Sequence, residues 1–166
     1  MSVHLRNGTK QSPKIMYLAL FQPDIPQNAG TLLRTCACLD VGADIVEPCG
    51  FVFSDRHLKR SAMDYLDLAQ VTRHNSWDAF RAQRQAEEGR RLVLLTTKGA
   101  ITYTDFSFQP TDVLLLGSES SGVPDDVHAA VDARVTIPMA PGARSLNIAV
   151  AAAMVLGEAL RQTAAV

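Results

Sequence analysis

Apolar positions along the chain fall in short continuous runs separated by longer stretches of helical spacing. Ile15–Phe21 (IMYLALF), Ala43–Val46, Leu68–Thr72, Arg91–Thr97 (RLVLLTT), Asp112–Gly117 (DVLLLG) and Arg134–Ile137 read as strands. The fourth and fifth are apolar without alternation, which suits a sheet covered on both faces. Between the runs, Asp24–Leu39 carries Ile25, Leu32, Leu33, Cys36 and Leu39 at mostly helical spacing. Asp55–Met63 predicts a short helix. Asn75 or Ser76 caps a helix from Trp77 to about Glu88. Pro124, Asp125 and Asp126 open another, with proline early and acids in the first turn. The last helix, Leu146–Gln162, is apolar nearly all round in its first three turns, a pattern that calls for burial on every side. Strand and helix alternate throughout. The expectation is a three-layer α/β fold with a mainly parallel sheet, residues 15–166 forming one domain behind a loose polar tail, Met1–Lys14.

Composition changes this picture little. A length of 166 residues suits one domain, and 47% hydrophobic with 20% charged residues is ordinary for a globule. The formal net charge is −1, so a nucleic acid has to be held by a local basic patch. Three cysteines, Cys36, Cys38 and Cys49, are an odd number without metal-type spacing, and they read as reduced packing residues of a cytoplasmic protein. The N-terminus lacks the apolar segment of a signal peptide, and no apolar stretch of about 18 residues suggests a membrane partner.

In parallel sheets, ligands sit at the carboxyl ends of the strands. Three such ends are rich in Gly, Ser, Thr or Pro: Thr96–Gly99, Gly117–Gly122 (GSESSG) and Pro138–Ser145. They read as three walls of one pocket. The spacing Gly117-x-x-x-x-Gly122 lacks the Lys-Ser/Thr of a phosphate-binding P-loop. No G-x-G-x-x-G follows the first strand, no G-x-S-x-G elbow occurs, and His57, His74 and His128 are scattered. No metal is expected.

Three segments in order carry a more specific signal: Asn28-x-Gly30-x-x-x-Arg34; Leu116 to Pro124 (LGSESSGVP); and Ile137-Pro138-Met139 followed by Ser145-Leu146-Asn147. Together they resemble the SPOUT class of RNA methyltransferases over nearly the whole chain from Ile15. QPDIPQNAG, EPCGF, MDYLDL, VTRH and LTTKG narrow the resemblance to the minimal tRNA wobble-nucleotide ribose 2′-O-methyltransferases. The resemblance implies a C-terminal trefoil knot, a homodimer, and S-adenosyl-L-methionine as methyl donor with S-adenosyl-L-homocysteine as product. The substrate it implies is the anticodon stem-loop of tRNA, methylated at cytidine or uridine 34. Alternatives are another tRNA or rRNA site, or a catalytically silent RNA-binding protein.

Carried over residue by residue, the resemblance implies cofactor contacts at Leu95, Thr96, Gly117, Glu119, Ile137, Met139, Ser145, Leu146 and Asn147. It implies a catalytic Arg34. A guanidinium stays protonated, so orienting the ribose and stabilising a developing alkoxide is the role expected of Arg34 rather than that of a base. RNA is expected to meet Asn28, Arg56, Lys59, Arg60, Arg73, Lys98 and Arg144. The chain departs from the family pattern at Ser118, where many relatives have proline, at Ala149 and Val150, and at Gly157, where a tyrosine is expected.

Overall fold

The structure, a computed structural model, describes residues 16–54, 56–99 and 101–163. The expected tail, Met1–Lys14, lies outside them. Thirteen elements follow in order: β1 (Tyr17–Phe21), α1 (Pro26–Leu39), β2 (Gly42–Val46), α2 (Arg56–Ala62), a 3-10 segment (Met63–Asp67), β3 (Val71–His74), α3 (Trp77–Gln85), β4 (Leu92–Leu95), β5 (Ile101–Thr102), β6 (Val113–Leu116), α4 (Asp125–Ala130), β7 (Ala133–Thr136) and α5 (Ile148–Thr163).

The seven strands form one sheet in the order β3-β2-β1-β6-β4-β7-β5, and every ladder in it is parallel. Side chains alternate between two cores because the strand period is two. On one face, Leu18, Leu20, Ile45, Val93, Leu114 and Leu116 pack with Leu32 and Leu33 of α1, Leu58 of α2 and Val155 and Leu156 of α5. On the other, Ala19, Phe21, Val46, Leu94 and Leu115 pack with Phe80 of α3 and Val127 of α4. These are the three layers read from the chain.

Boundaries differ where side chains or turns intervene. The strand expected at Leu68–Thr72 begins at Val71, because the Leu68 and Ala69 N–H groups close the preceding turn on the Tyr65 carbonyl. The helix expected from Leu146 begins at Ile148. Asn147 Oδ1 accepts from the N–H of Ala149 at 2.9 Å and of Val150 at 3.3 Å, the bonds of a helix N-cap. Ser76 caps α3 through Ala79 N–H, and that helix ends at Gln85 rather than Glu88. The two-residue β5 was not expected; a strand that short leaves no periodicity to read.

Strand β2 is buried at every position, including Asp44. Its carboxylate accepts Arg84 Nε at 2.8 Å, Arg84 Nη2 at 2.5 Å and His74 Nε2 at 2.8 Å. The Arg84 guanidinium also lies 3.9 Å from the centre of the Tyr17 ring. A buried charge needs this degree of pairing. Replacing Asp44 by alanine leaves the buried Arg84 cation with Glu87 as its remaining carboxylate, 2.5 Å from Nη1, and is expected to cost about 3 kcal/mol, read as a lowered urea midpoint with the slope unchanged.

Candidate active site

Register places the strand ends side by side. Leu20 of β1 and Leu95 of β4 both pair with Leu116 of β6, and Leu95 pairs in turn with Val135 of β7. The loops leaving β4, β6 and β7 therefore start in one line. They enclose a cavity of about 470 Å³, within the range of small-ligand sites. Every residue expected at a cofactor lines it: Leu95, Thr96, Gly117, Glu119, Ile137, Met139, Ser145, Leu146 and Asn147. Asn28, assigned to RNA from the sequence, lines it too. So do Ser118, noted above as a departure from the family pattern, and Ile25, Val123, Thr136, Ile148 and Ala151, which sequence reasoning did not assign to the site. The walls mix aliphatic side chains with nearly as many polar ones, which suits an adenine ring edged by hydrogen-bonding partners.

The loop after β6 is a tight reversal. Ser118 N–H donates to the Gly122 carbonyl at 3.0 Å, and Gly122 N–H donates back to Ser118 at 2.9 Å. Proline at position 118 could not make the first bond. The Ser118 hydroxyl adds a 2.8 Å contact to Ser121 Oγ. A Cβ placed on Gly117 would stand 2.6–2.9 Å from the Gly122 backbone. Only glycine lets the two limbs of the loop meet. A larger residue at 117 thus displaces the loop itself, beyond any clash with a ligand.

Two polar links join this wall to α1. Asp24 N–H donates to Glu119 Oε2 at 3.1 Å, and Glu119 N–H donates to Asp24 Oδ1 at 3.1 Å. The Ser120 hydroxyl also donates to Asp24. Asn28 Nδ2 reaches Glu119 Oε1 at 3.3 Å, and Asn147 Nδ2 reaches Asn28 Oδ1 at 3.2 Å. Burial raises the Glu119 carboxyl above its ordinary range, and its contact with Asp24 raises it further. Asp24, held chiefly by its hydrogen bond to Glu119, is lowered. The two shifts belong to one interacting pair, in which Asp24 gives up its proton before Glu119. Asp24 escaped the sequence reading of the site because its partner lies 95 residues away.

Arg34 does not line this cavity in its own chain. It is exposed on α1, its Nη1 is 3.0 Å from Met63 Sδ, and its guanidinium carbon is 5.2 Å from the Tyr65 ring centre. Arg56, Lys59 and Arg60 stand exposed on α2, and Lys98 and Arg144 are exposed on the loops after β4 and β7. Arg73 is exposed as well, but it pairs with Glu47 and stacks 4.6 Å over Phe53. Of the thiols, burial pushes Cys36 to about 12 and Cys49 to about 11, consistent with packing roles. No group of three or more His, Cys, Asp or Glu able to hold a metal occurs among the described residues.

Residues 15–157 match the SpoU rRNA Methylase family. The chain belongs to this family. A relative from Beijerinckia indica, named tRNA (cytidine(34)-2′-O)-methyltransferase, is 66% identical over 148 residues, covering 89% of this chain and 92% of its own. An Escherichia coli K12 protein of the same name is 38% identical over 150 residues, covering 89% and 94%. Among solved structures, one described as giving insight into 2-OH methylation of C/U34 on tRNA superposes with a TM-score of 0.85 at 37% identity, covering 91% of this chain and 97% of that one. The SpoU methyltransferase AviRb of Streptomyces viridochromogenes, solved with its cofactor AdoMet, gives 0.80 at 30% identity, covering 90% and 60%.

Gly117→Ala tests the closeness of the two loop limbs. Its expected effect is at least a tenfold loss of S-adenosylmethionine affinity by calorimetry, on the scale of one misplaced wall, about 1.4 kcal/mol.

Proposed function

We propose that this chain transfers a methyl group from S-adenosyl-L-methionine to the ribose 2′-hydroxyl of nucleotide 34 in tRNA. The observation that carries the reading is the convergence of the expected cofactor residues on one cavity at the carboxyl ends of β4, β6 and β7. The relatives' printed activity narrows the acceptor to the wobble position.

The cavity fits the donor in size and in its mix of aliphatic and polar walls, and Glu119 offers a carboxylate to a cationic ligand. When bound, the donor supplies a methyl group on a sulfonium, a leaving group already activated, and we take the reaction to need no metal. The chain's own work is positioning. Leu95, Ile137 and Leu116 exclude water from the transfer path, and the loop 117–122 closes one side. Arg34 orients the ribose and stabilises the oxygen as its proton passes to bulk water. Arg56, Lys59, Arg60, Lys98 and Arg144 neutralise phosphates of the anticodon stem-loop, so binding should weaken with salt.

Arg34 lies away from its own cavity, and the reading answers this with a homodimer in which it serves the partner's. Val150 and Met154 of α5 are 51% and 39% exposed in the single chain, beside Ala153 and Gly157, which are exposed too. Thr31, Thr35, Asn147 and Val150 border an open groove between α1 and α5. An apolar helix face of this kind needs a cover, and a second copy supplies it. A Cβ at Gly157 meets open space within the chain, so glycine there answers to the approaching helix. The wedging of β6 between β1 and β4, and of β7 between β4 and β5, supports the C-terminal trefoil knot. No helix among the described residues is long and apolar enough to cross a membrane, and the reading places the reaction in the cytoplasm, with tRNA.

The test is nucleoside analysis of tRNA from cells with and without the gene. Loss of 2′-O-methylation at position 34 alone is the expected result; methylation unchanged there would end the reading. With purified protein, Arg34→Ala should lower methyl transfer at least a hundredfold, in keeping with loss of a charge-stabilising donor, while calorimetric S-adenosylmethionine binding stays as it was.

The dimer has its own check. Met154→Glu sits on an exposed position and should leave the monomer folded. Light scattering should fall from twice the 18.0 kDa chain mass to once that mass, with activity lost. A variant that remains dimeric and active would place the interface elsewhere.

A further inference from the structure

Arg34 is the fourth residue beyond Gly30 on α1, and the two share one face of the helix. At Gly30 the helix meets α2 with no space to spare. A Cβ there would lie 2.6 Å from the Leu58 carbonyl oxygen and 2.7 Å from Ser61 Cβ. α2 therefore lies directly on α1 and ends one turn further along, opposite Arg34. There the backbone does something costly. Met63, a residue with a full side chain, takes φ +53°, the left-handed region. This reversal starts the 3-10 segment Met63–Asp67 instead of carrying α2 onward. It leaves Met63 53% exposed, its sulfur facing Arg34 Nη1 at 3.0 Å. Two residues on, the Tyr65 ring stands under the guanidinium at 5.2 Å. Tyr65 is itself fixed: its carbonyl accepts from Leu68 N–H at 3.1 Å and Ala69 N–H at 2.9 Å, and neighbouring Leu66 packs on the main core.

We propose that Met63 and Tyr65 are positioning residues that hold the Arg34 guanidinium ready for the acceptor ribose. The proposal rests on the catalytic reading of Arg34 given above. The physical reason is entropy. An exposed arginine samples many rotamers, and each one out of line is an unproductive encounter with the substrate. A thioether is a weak acceptor and a ring face attracts a cation without claiming its N–H donors. The cradle orients Arg34 while leaving donors free for an oxygen. A carboxylate in the same place would hold it more firmly and neutralise the charge the reaction needs. Neither residue lines the cofactor cavity, so the cradle should act on turnover and leave cofactor binding alone.

The experiment is a double-mutant cycle on the full-length protein with tRNA under saturating S-adenosylmethionine. Tyr65→Ala should lower kcat by about five- to tenfold, the scale of a lost cation–π contact, with the dissociation constant for S-adenosylmethionine unchanged. Tyr65→Phe, which keeps the ring, should stay within about twofold of the parent. Met63→Leu, which keeps bulk without the thioether acceptor, should show a smaller loss. In the Arg34→Ala background, Tyr65→Ala should have no further effect. A Tyr65→Ala loss of the same size in both backgrounds, or no loss in the parent, would overturn the cradle while leaving Arg34 catalytic. An active Arg34→Ala protein would overturn both. Side-chain NMR gives a reading independent of turnover: the Arg34 Nε–Hε signal should be ordered in the parent and in Tyr65→Phe, and mobile in Tyr65→Ala. An equally ordered signal in all three would also count against the cradle.

Discussion

Parallel register at the middle of the sheet is the constraint on which the rest depends. Strands β1, β6, β4 and β7 end level with one another, and β6 and β7 enter late in the chain between strands already laid down. Both faces of the sheet are occupied by packed apolar side chains. That leaves the edge formed by strand ends, and the loops leaving them, to open into a cavity. Backbone N–H and carbonyl groups are free there, as they are not within the ladders, and aliphatic residues of the last strand positions form a floor. The cavity is the direct result of that arrangement.

What keeps the cavity in shape is polar and local. The loop after β6 is bound to itself through Ser118 and Gly122 and to the loop after β1 through the reciprocal Asp24–Glu119 bonds. Asn28 and Asn147 extend the link to the start of α5. These bonds tie the first helix, which carries Arg34, to the wall of the cofactor site. Glu119 is the costly member, since burial opposes its charge; the N–H of Asp24 and the amide of Asn28 offset part of that penalty. The Asp44, His74 and Arg84 cluster is a separate device. It pins β2 and β3 to α3 within the buried strand layer, and it contributes no wall to the cavity.

Work is divided along the same lines. Most cavity-lining positions come from strand ends and the loops after them in the second half of the chain, where the strand backbone is held on both sides. The cations Arg34, Arg56, Lys59 and Arg60 stand exposed on α1 and α2.

The sequence by itself determined the class of fold, the six longer strands and the residues around the cavity. Strand runs without alternation can only be buried on both sides, and glycine, serine and proline at their ends leave few local conformations. The three loops were legible for that reason, whereas Leu95, Gly117, Ile137 and Ser145 were picked out by the resemblance to the family's ordered segments. The tertiary structure decided the rest. Strand order, the two-residue β5, the Asp24–Glu119 pair and the seating of Arg34 on Met63 and Tyr65 all join residues from 21 to 96 positions apart, or are too short to show a period. Periodicity and capping act over a few neighbours, whereas such contacts exist only after the sheet has brought distant segments together.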